Sequence, residues 1–323
     1  MANIKLGVTL YCFTNEYAKG LYSFEDCIRI AKEMGAEGYE IVASQMVPSY
    51  PFVSDEFAGK VSELNAKYGI KPICYSANTD RGMRIDRDLT EDEMLKMAIN
   101  DLKSASKLGC KIVRVQYLLS PSAMERLAPY AEEYGIKVGV EMHNPETPNT
   151  PIMREYLDVF KRTGSKFLGF IPDFGCFATR PNKPHWDAAL KAGAKLEHLE
   201  LAAKLRYDGV SRNEARQKLI EAGANGPVMG AFEGMYGFVT FYNKPDLEGL
   251  KEILPYCIHF HGKFHYLDEN LHEASIPYHE ILPVIKDSDF DGYIMSEYED
   301  HVSGNAYEMT KNHLIMERRL LNK

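Results

Sequence analysis

Eight short apolar runs, most of them followed by a stretch of helical periodicity, constrain this chain more than any other feature of its sequence. They are IKLGVTLY (4–11), AEGYEIVA (36–43), IKPICYSA (70–77), CKIVRVQYL (110–118), IKVGVEMH (136–143), KFLGFIPDF (166–174), CIHFHGKF (257–264) and GYIMSEYE (292–299). Most are continuously apolar rather than alternating, the pattern of parallel strands covered by helices on one face and by a packed interior on the other. Ser23 with Asp26 and Thr90 with Glu93 can form capping boxes, and Thr150 before Pro151 places an N-cap ahead of a proline at the first helical position. Gly35, Gly69, Gly109, Gly135 and Gly164 stand where helices should stop, each shortly before the next run.

Eight strands joined by helical crossovers admit either an open doubly wound sheet or a closed barrel, but no GxGxxG follows the first run. The count favours a (β/α)₈ barrel, and 323 residues fit one such domain spanning 1–323. One interval breaks the rhythm: 88 residues separate Asp173 from His261. It carries helical patterns over 187–206 and 211–222, then the Gly- and aromatic-rich GAFEGMYGFVTFYN (230–243). Without strand-helix repeats of its own, 175–245 reads as an elaborated loop region on the catalytic face, serving as a substrate lid or equally as a subunit contact.

Composition excludes several classes. A net charge of −8 offers no basic stripe for displacing counterions from nucleic acid. No stretch reaches the length of a membrane span, and MANIKLGVTLY lacks the basic and long apolar regions of a signal peptide, so a cytoplasmic protein is expected. Six scattered cysteines without a CxxC read as reduced, mostly buried small hydrophobes.

Barrel active sites lie at the carboxyl ends of the strands, so the polar residues closing each run are the informative ones. Run five ends with Glu141 and His143, run six with Asp173, run seven carries His259 and His261, and run eight ends at Glu297. Residues two apart in a strand face the same side, so Glu141 with His143, and His259 with His261, can share one cavity. Three carboxylates and an imidazole from four adjacent strands suit Mn²⁺, Mg²⁺, Co²⁺ or Zn²⁺, the oxygen-rich set favouring the harder ions. The bland alternative, a rim of unrelated salt bridges, would require four consecutive strands to close this way by accident.

This series of Glu, Asp, His and Glu on strands five to eight resembles the xylose isomerase-like barrel superfamily across essentially the whole chain. The resemblance implies that His261 is the metal histidine, with Glu141, Asp173 and Glu297, and that His259 is structural. The superfamily's ketose 3-epimerases carry three further residues at positions occupied here by Thr147, Cys176 and Leu267, so the chain departs from them at all three. Its nucleases need extra histidines for a multi-metal cluster. VEMHNP (140–145), IPDFGCF (171–177) and HFHGKFH (259–265) look most like the large subunit of bacterial C-glycoside deglycosidases. That resemblance implies a small β-subunit partner, a Mn²⁺-type metal, and cleavage of the carbon-carbon bond between a 3-oxo sugar and an aromatic aglycone such as a flavonoid.

For that reaction a base must remove the proton beside the ketone, and histidine is the side chain best matched to the task at neutral pH. His143, two residues past Glu141, is the expected base, with an oriented supporting role as its alternative. His265 is the candidate acid. Lys263, Gln116, Phe177 and Tyr298 are the expected substrate contacts, while Tyr11, Tyr75, Tyr117, Phe174 and Trp186 add aromatic surface suited to a flat polyphenol or simply to barrel packing. Two competing readings use the same metal: a sugar isomerase or epimerase with Glu141 and Glu297 as its acid-base pair, and a non-catalytic subunit with a structural ion.

Overall fold

In the computed structural model, which describes residues 2–78, 80–300 and 305–323, each apolar run contains one strand. These are β1 Asn3–Thr9, β2 Tyr39–Val42, β3 Pro72–Ser76, β4 Ile112–Val115, β5 Lys137–Met142, β6 Leu168–Pro172, β7 Phe260–Phe264 and β8 Asp291–Tyr298. They form one sheet in the order β6-β5-β4-β3-β2-β1-β8-β7, with every neighbouring pair parallel. The two ends meet through isolated parallel bridges, Phe170 with Cys257 and Asp173 with His261, which bring β7 against β6 and round the sheet into a (β/α)₈ barrel.

The expected capping boxes form: Ser23 with Asp26 opens the helix Phe24–Glu33, and Thr90 with Glu93 opens Glu91–Leu108. Thr150 behaves differently. Its hydroxyl donates to the Thr147 carbonyl at 2.9 Å instead of capping, and the helix Pro151–Thr163 begins at Pro151, which has no N–H to satisfy. Gly69 and Gly109 end their helices in the left-handed region, at φ 60° and 80°.

The amino-terminal part of the barrel interior is plugged by Cys74, Ile112, Ile171 and Ile258. Gly139 is required there, since a Cβ would stand 2.4 Å from Ile171 Cγ1. Toward the carboxyl ends the interior turns polar, with Glu40, Glu141, His259, His261, Lys263 and Glu297 all buried.

The long β6–β7 connection holds the helices Lys183–Lys191, Leu196–Tyr207, Arg212–Glu221, Gly226–Met235 and Leu247–Ile253, and no strand among the described residues. The pattern expected as one helix over 187–206 is divided at Gly193, whose φ of 93° stops the first helix. The segment 230–243 is helical only as far as Met235. All six cysteines are free thiols, and all but Cys257 are buried. No helix among the described residues is long and apolar enough to cross a membrane.

Candidate active site

Strand alternation aims the functional side chains. On β7, Phe260 and Phe264 pack outward while His259, His261 and Lys263 point into the barrel; on β8, Ser296 turns outward to Glu317 and His313, and Glu297 and Glu299 turn inward.

Ligand atoms of Glu141, His261 and Glu297 lie within 4.8 Å of one another, and all three residues are buried. His261 Nδ1 is 2.7 Å from Glu141 Oε1 and 3.4 Å from Glu297 Oε2. Glu297 Oε2 is buried with no hydrogen-bond partner among the described residues. The other ring nitrogen, Nε2, lies 3.2 and 3.3 Å from the two oxygens of Glu40, a buried carboxylate from β2. Burial opposes a charge on this ring, yet Glu297, Glu40 and Glu141 together hold it well above the usual histidine range. Burial likewise pushes Glu141 up, and the Arg114 guanidinium and His261 overcome it, holding the carboxyl well below its ordinary value. Arg114, from β4, sits 3.7 Å from Glu141 Oε2 and donates to the Ala77 carbonyl at 3.0 Å.

Beside this cluster stands a second, built on Lys263. Its Nζ is 2.6 Å from Asp173 Oδ2, 2.8 Å from Glu299 Oε2 and 2.6 Å from His143 Nε2. Burial disfavours the ammonium, but Asp173 and Glu299 outweigh it and keep Lys263 charged well beyond neutral pH. An ammonium has only donors, so His143 Nε2 receives the bond as a lone pair, and the ring proton sits on Nδ1, which donates to the Asn144 carbonyl at 2.8 Å. Burial also lifts Glu299, but Lys263 prevails and holds it at about 2.

A cavity of about 470 Å³ opens above both clusters. Its wall is formed by Gln116, Tyr117 and Leu118 after β4, Glu141 and His143 on β5, Glu299 after β8, and His185, Phe238 and Val239 from the long connection. Phe238 is 66% exposed and meets the His143 ring edge-on at 5.8 Å between centroids. A larger cavity of about 1260 Å³, on the flank between the long connection and the loop after β7, is lined by none of the residues of the two clusters. Size therefore does not identify the reactive site; convergent polar groups do.

Residues 28–317 match the model of the xylose isomerase-like TIM barrel family. The chain belongs to that family. Two full-length relatives are the 3'-dehydrocarminate deglycosidase alpha subunit of a Microbacterium species, 33% identical over 97% of this chain and 94% of the relative, and a C-glycoside deglycosidase alpha subunit of Arthrobacter globiformis, 30% identical over 99% and 93%. Among solved structures, a xylose isomerase-like TIM barrel protein of Mycobacterium smegmatis in complex with magnesium superposes with a TM-score of 0.55 at 14% identity, covering 98% of this chain and 97% of that one.

Within this xylose isomerase-like barrel, the sequence expectations land at different places. Glu141, His261 and Glu297 converge, while Asp173 turns its Oδ2 to Lys263 and accepts the Gly175 N–H on Oδ1 at 2.7 Å. His143 and Gln116 line the cavity. Lys263 reaches it through its contacts with His143 and Glu299. His265 is buried behind Glu299, bonded through Nδ1 to that residue's carbonyl at 3.0 Å. Phe177 is wholly buried in the core, and Tyr298 borders a separate recess with Tyr11 and Cys12, its hydroxyl 3.1 Å from Asp300 Oδ2.

Four residues went unnoticed in the sequence: Glu40, Arg114, Glu299 and His185. For Glu40 and Arg114 the available signal was a lone charge inside an otherwise apolar strand. For Glu299 it was the two-residue spacing from Glu297. His185 had no local signal, because the long connection delivers it to the cavity.

Proposed function

We propose that this chain is the catalytic subunit of a metal-dependent lyase that cleaves the sugar-aglycone carbon-carbon bond of 3-oxo-C-glycosides, working with a small β subunit. The reading rests on one observation above all: the neutral His143, its Nε2 lone pair fixed beside Lys263, borders the same cavity as Glu141. It is supported by full-length relatives named as deglycosidase alpha subunits, a name that implies a partner chain.

The donor set suits a divalent cation. Glu141, His261 and Glu297 offer two carboxylates and an imidazole at one point, Glu297 Oε2 has no other hydrogen-bond partner there among the described residues, and Asp173 stands beside them. Glu141, His261 and Glu297 would hold a divalent ion, Mn²⁺ in this reading, with Asp173 as a fourth ligand once its Oδ2 turns from Lys263, and the ion would supply Lewis acidity toward a sugar carbonyl.

The rest is the work of side chains. Once substrate displaces the Lys263 N–H from His143 Nε2, the freed lone pair takes the proton from the carbon between the ketone and the anomeric centre, leaving an enolate. Collapse of that enolate forms a double bond between this carbon and the anomeric carbon, breaks the bond to the aglycone, and sends the electron pair to the departing aryl carbon, which must gain a proton. The imidazolium formed in the first step carries that proton and lies closest to where it is needed, whereas His265 is screened by Glu299. Lys263 fixes the ring orientation and, once His143 is protonated, opposes its charge and so favours return of the proton. Tyr117, Leu118, Phe238 and Val239 offer the apolar wall for a planar aglycone.

The test supplies the chain, co-expressed with its small partner and loaded with Mn²⁺, with a 3-oxo-C-glucosyl flavonoid and, separately, with free ketoses. Aglycone release that falls at least 100-fold in His143→Ala is the expected result. Ketose interconversion without aglycone release would instead assign the site to a sugar isomerase or epimerase.

A further inference from the structure

We infer that Glu40 is a positioning residue: it accepts the Nε2–H of His261 and thereby fixes that ring with its Nδ1 lone pair aimed at Glu141 and Glu297. The inference rests on the metal reading above and extends it to a residue on the far side of the barrel. β2 and β7 are separated in the sheet by β1 and β8, so the Glu40 side chain crosses the interior to reach the rings.

Three observations carry it. Glu40 is wholly buried, its Oε2 accepts from His261 Nε2 at 3.3 Å, and its Oε1 stands 3.2 Å from the same nitrogen as an ion-pair partner. A neutral imidazole carries one N–H and one lone pair, so when a cation displaces the Nδ1 proton of the charged ring, the proton that Glu40 holds on Nε2 leaves Nδ1 free to ligate. Nδ1 stands 2.7 and 3.4 Å from carboxylate oxygens of Glu141 and Glu297; the former accepts its proton in the charged ring, and both become its co-ligands once a cation takes that proton's place. Glu40 thus decides which of the ring's two nitrogens is available. A carboxylate behind a ligating histidine also raises the donor strength of the ring.

Glu40 accepts from His259 as well, at 3.2 Å to Nε2, and the two rings stand edge-on at 6.0 Å. His259 therefore braces the carboxylate from below. Ligand atoms of Glu40, Cys74 and His259 also lie within 4.8 Å of one another, a grouping that offers a rival role for Glu40 as a ligand in its own right. The positioning reading assigns these three no ion.

The experiment titrates Mn²⁺ into metal-stripped wild type, Glu40→Gln and His259→Gln by calorimetry, with the melting temperature of each stripped protein measured alongside. Expected are one equivalent bound by wild type, a 10- to 100-fold weaker dissociation constant for Glu40→Gln with the stripped melting temperature little changed, and near-normal affinity for His259→Gln. If Glu40→Gln fails to fold, Glu40→Asp, which withdraws the carboxylate by one methylene, should give a weakening of the same sign. Unchanged affinity in the folded Glu40 variant overturns the inference, as does a loss matched by an equal fall in stripped-protein stability. Two equivalents in wild type, with one lost in His259→Gln, would make Glu40 a ligand and overturn it too. No binding by wild type would refute the metal reading itself, a result distinct from the others.

Discussion

Asp101 lies in the middle of the helix Glu91–Leu108, only 3% exposed, and among the described residues no hydrogen bond or ion pair reaches its carboxyl. Burial alone lifts it from 3.8 to about 8. The folded chain therefore keeps a proton that the unfolded chain releases above about pH 4. Stability from this group is full below that point, falls as pH rises, and levels off once the folded carboxyl ionises above about 8. At about 1.4 kcal/mol for each unit of pH within the window, the loss between pH 5 and pH 8 amounts to roughly 4 kcal/mol. Asp101→Asn removes the titration. Near this chain length 1 kcal/mol moves the melting temperature by about 2 °C, so wild type should lose about 8 °C more than the variant over that range. The assay is thermal unfolding of both proteins in matched buffers at constant ionic strength. A difference between them that stays flat from pH 5 to pH 8 would mean that Asp101 is ionised throughout and that burial does not govern it.

Lys263→Met should destabilise by roughly 3 kcal/mol or more, because Asp173 is left buried without its cation and Glu299 loses its partner. Denaturant titration measures the loss, and adding Asp173→Asn should recover much of it; no recovery would mean that the pair is not coupled. Glu317→Gln should cost under about 1 kcal/mol despite full burial. Burial holds that carboxyl well above its usual range, so it is already neutral where it accepts the Ser296 hydroxyl at 3.1 Å, and the amide preserves both charge and shape. A loss above about 2 kcal/mol, or a strong pH dependence near neutrality that the variant abolishes, would show that Glu317 is ionised.

The parts of the molecule that were legible in its sequence are those where a local rule and the tertiary fold agree. Continuous apolar runs gave the strands, and Ser23, Thr90, Gly69 and Gly109 marked helix ends through chemistry confined to one turn. The acids closing β5 and β8 and the second histidine of β7 were readable because strand alternation fixes direction. Asp173 was harder. It closes β6 as expected, but which neighbour its carboxylate meets depends on Lys263, placed on the adjoining β7 by a chain segment ninety positions on. Glu40 and Arg114 sit inside apolar runs, where a charge signals equally an outward salt bridge or an inward functional group. Phe177 and Tyr298 follow strand ends as cavity residues should, yet the tight turn Phe174–Phe177 and the Phe264 ring carry them into packing. The helix pattern over 187–206 hid its break, since Gly193 costs little in periodicity and much in backbone direction.

The wall of the barrel is not uniform. Most of its junctions are laced by runs of three to six paired residues, whereas β1 and β2 share two adjacent pairs and β6 and β7 touch through two isolated bridges, one of them Asp173 with His261. Amide protons along this junction should be among the first of the barrel to trade with solvent, since few partners hold them. The two side chains at that bridge ride on opposite lips of a sparsely sewn joint, and the chain between the lips is the same five-helix segment that supplies His185, Phe238 and Val239 to the cavity. A strain that loosens this segment would therefore widen the joint and unroof the cavity in a single movement.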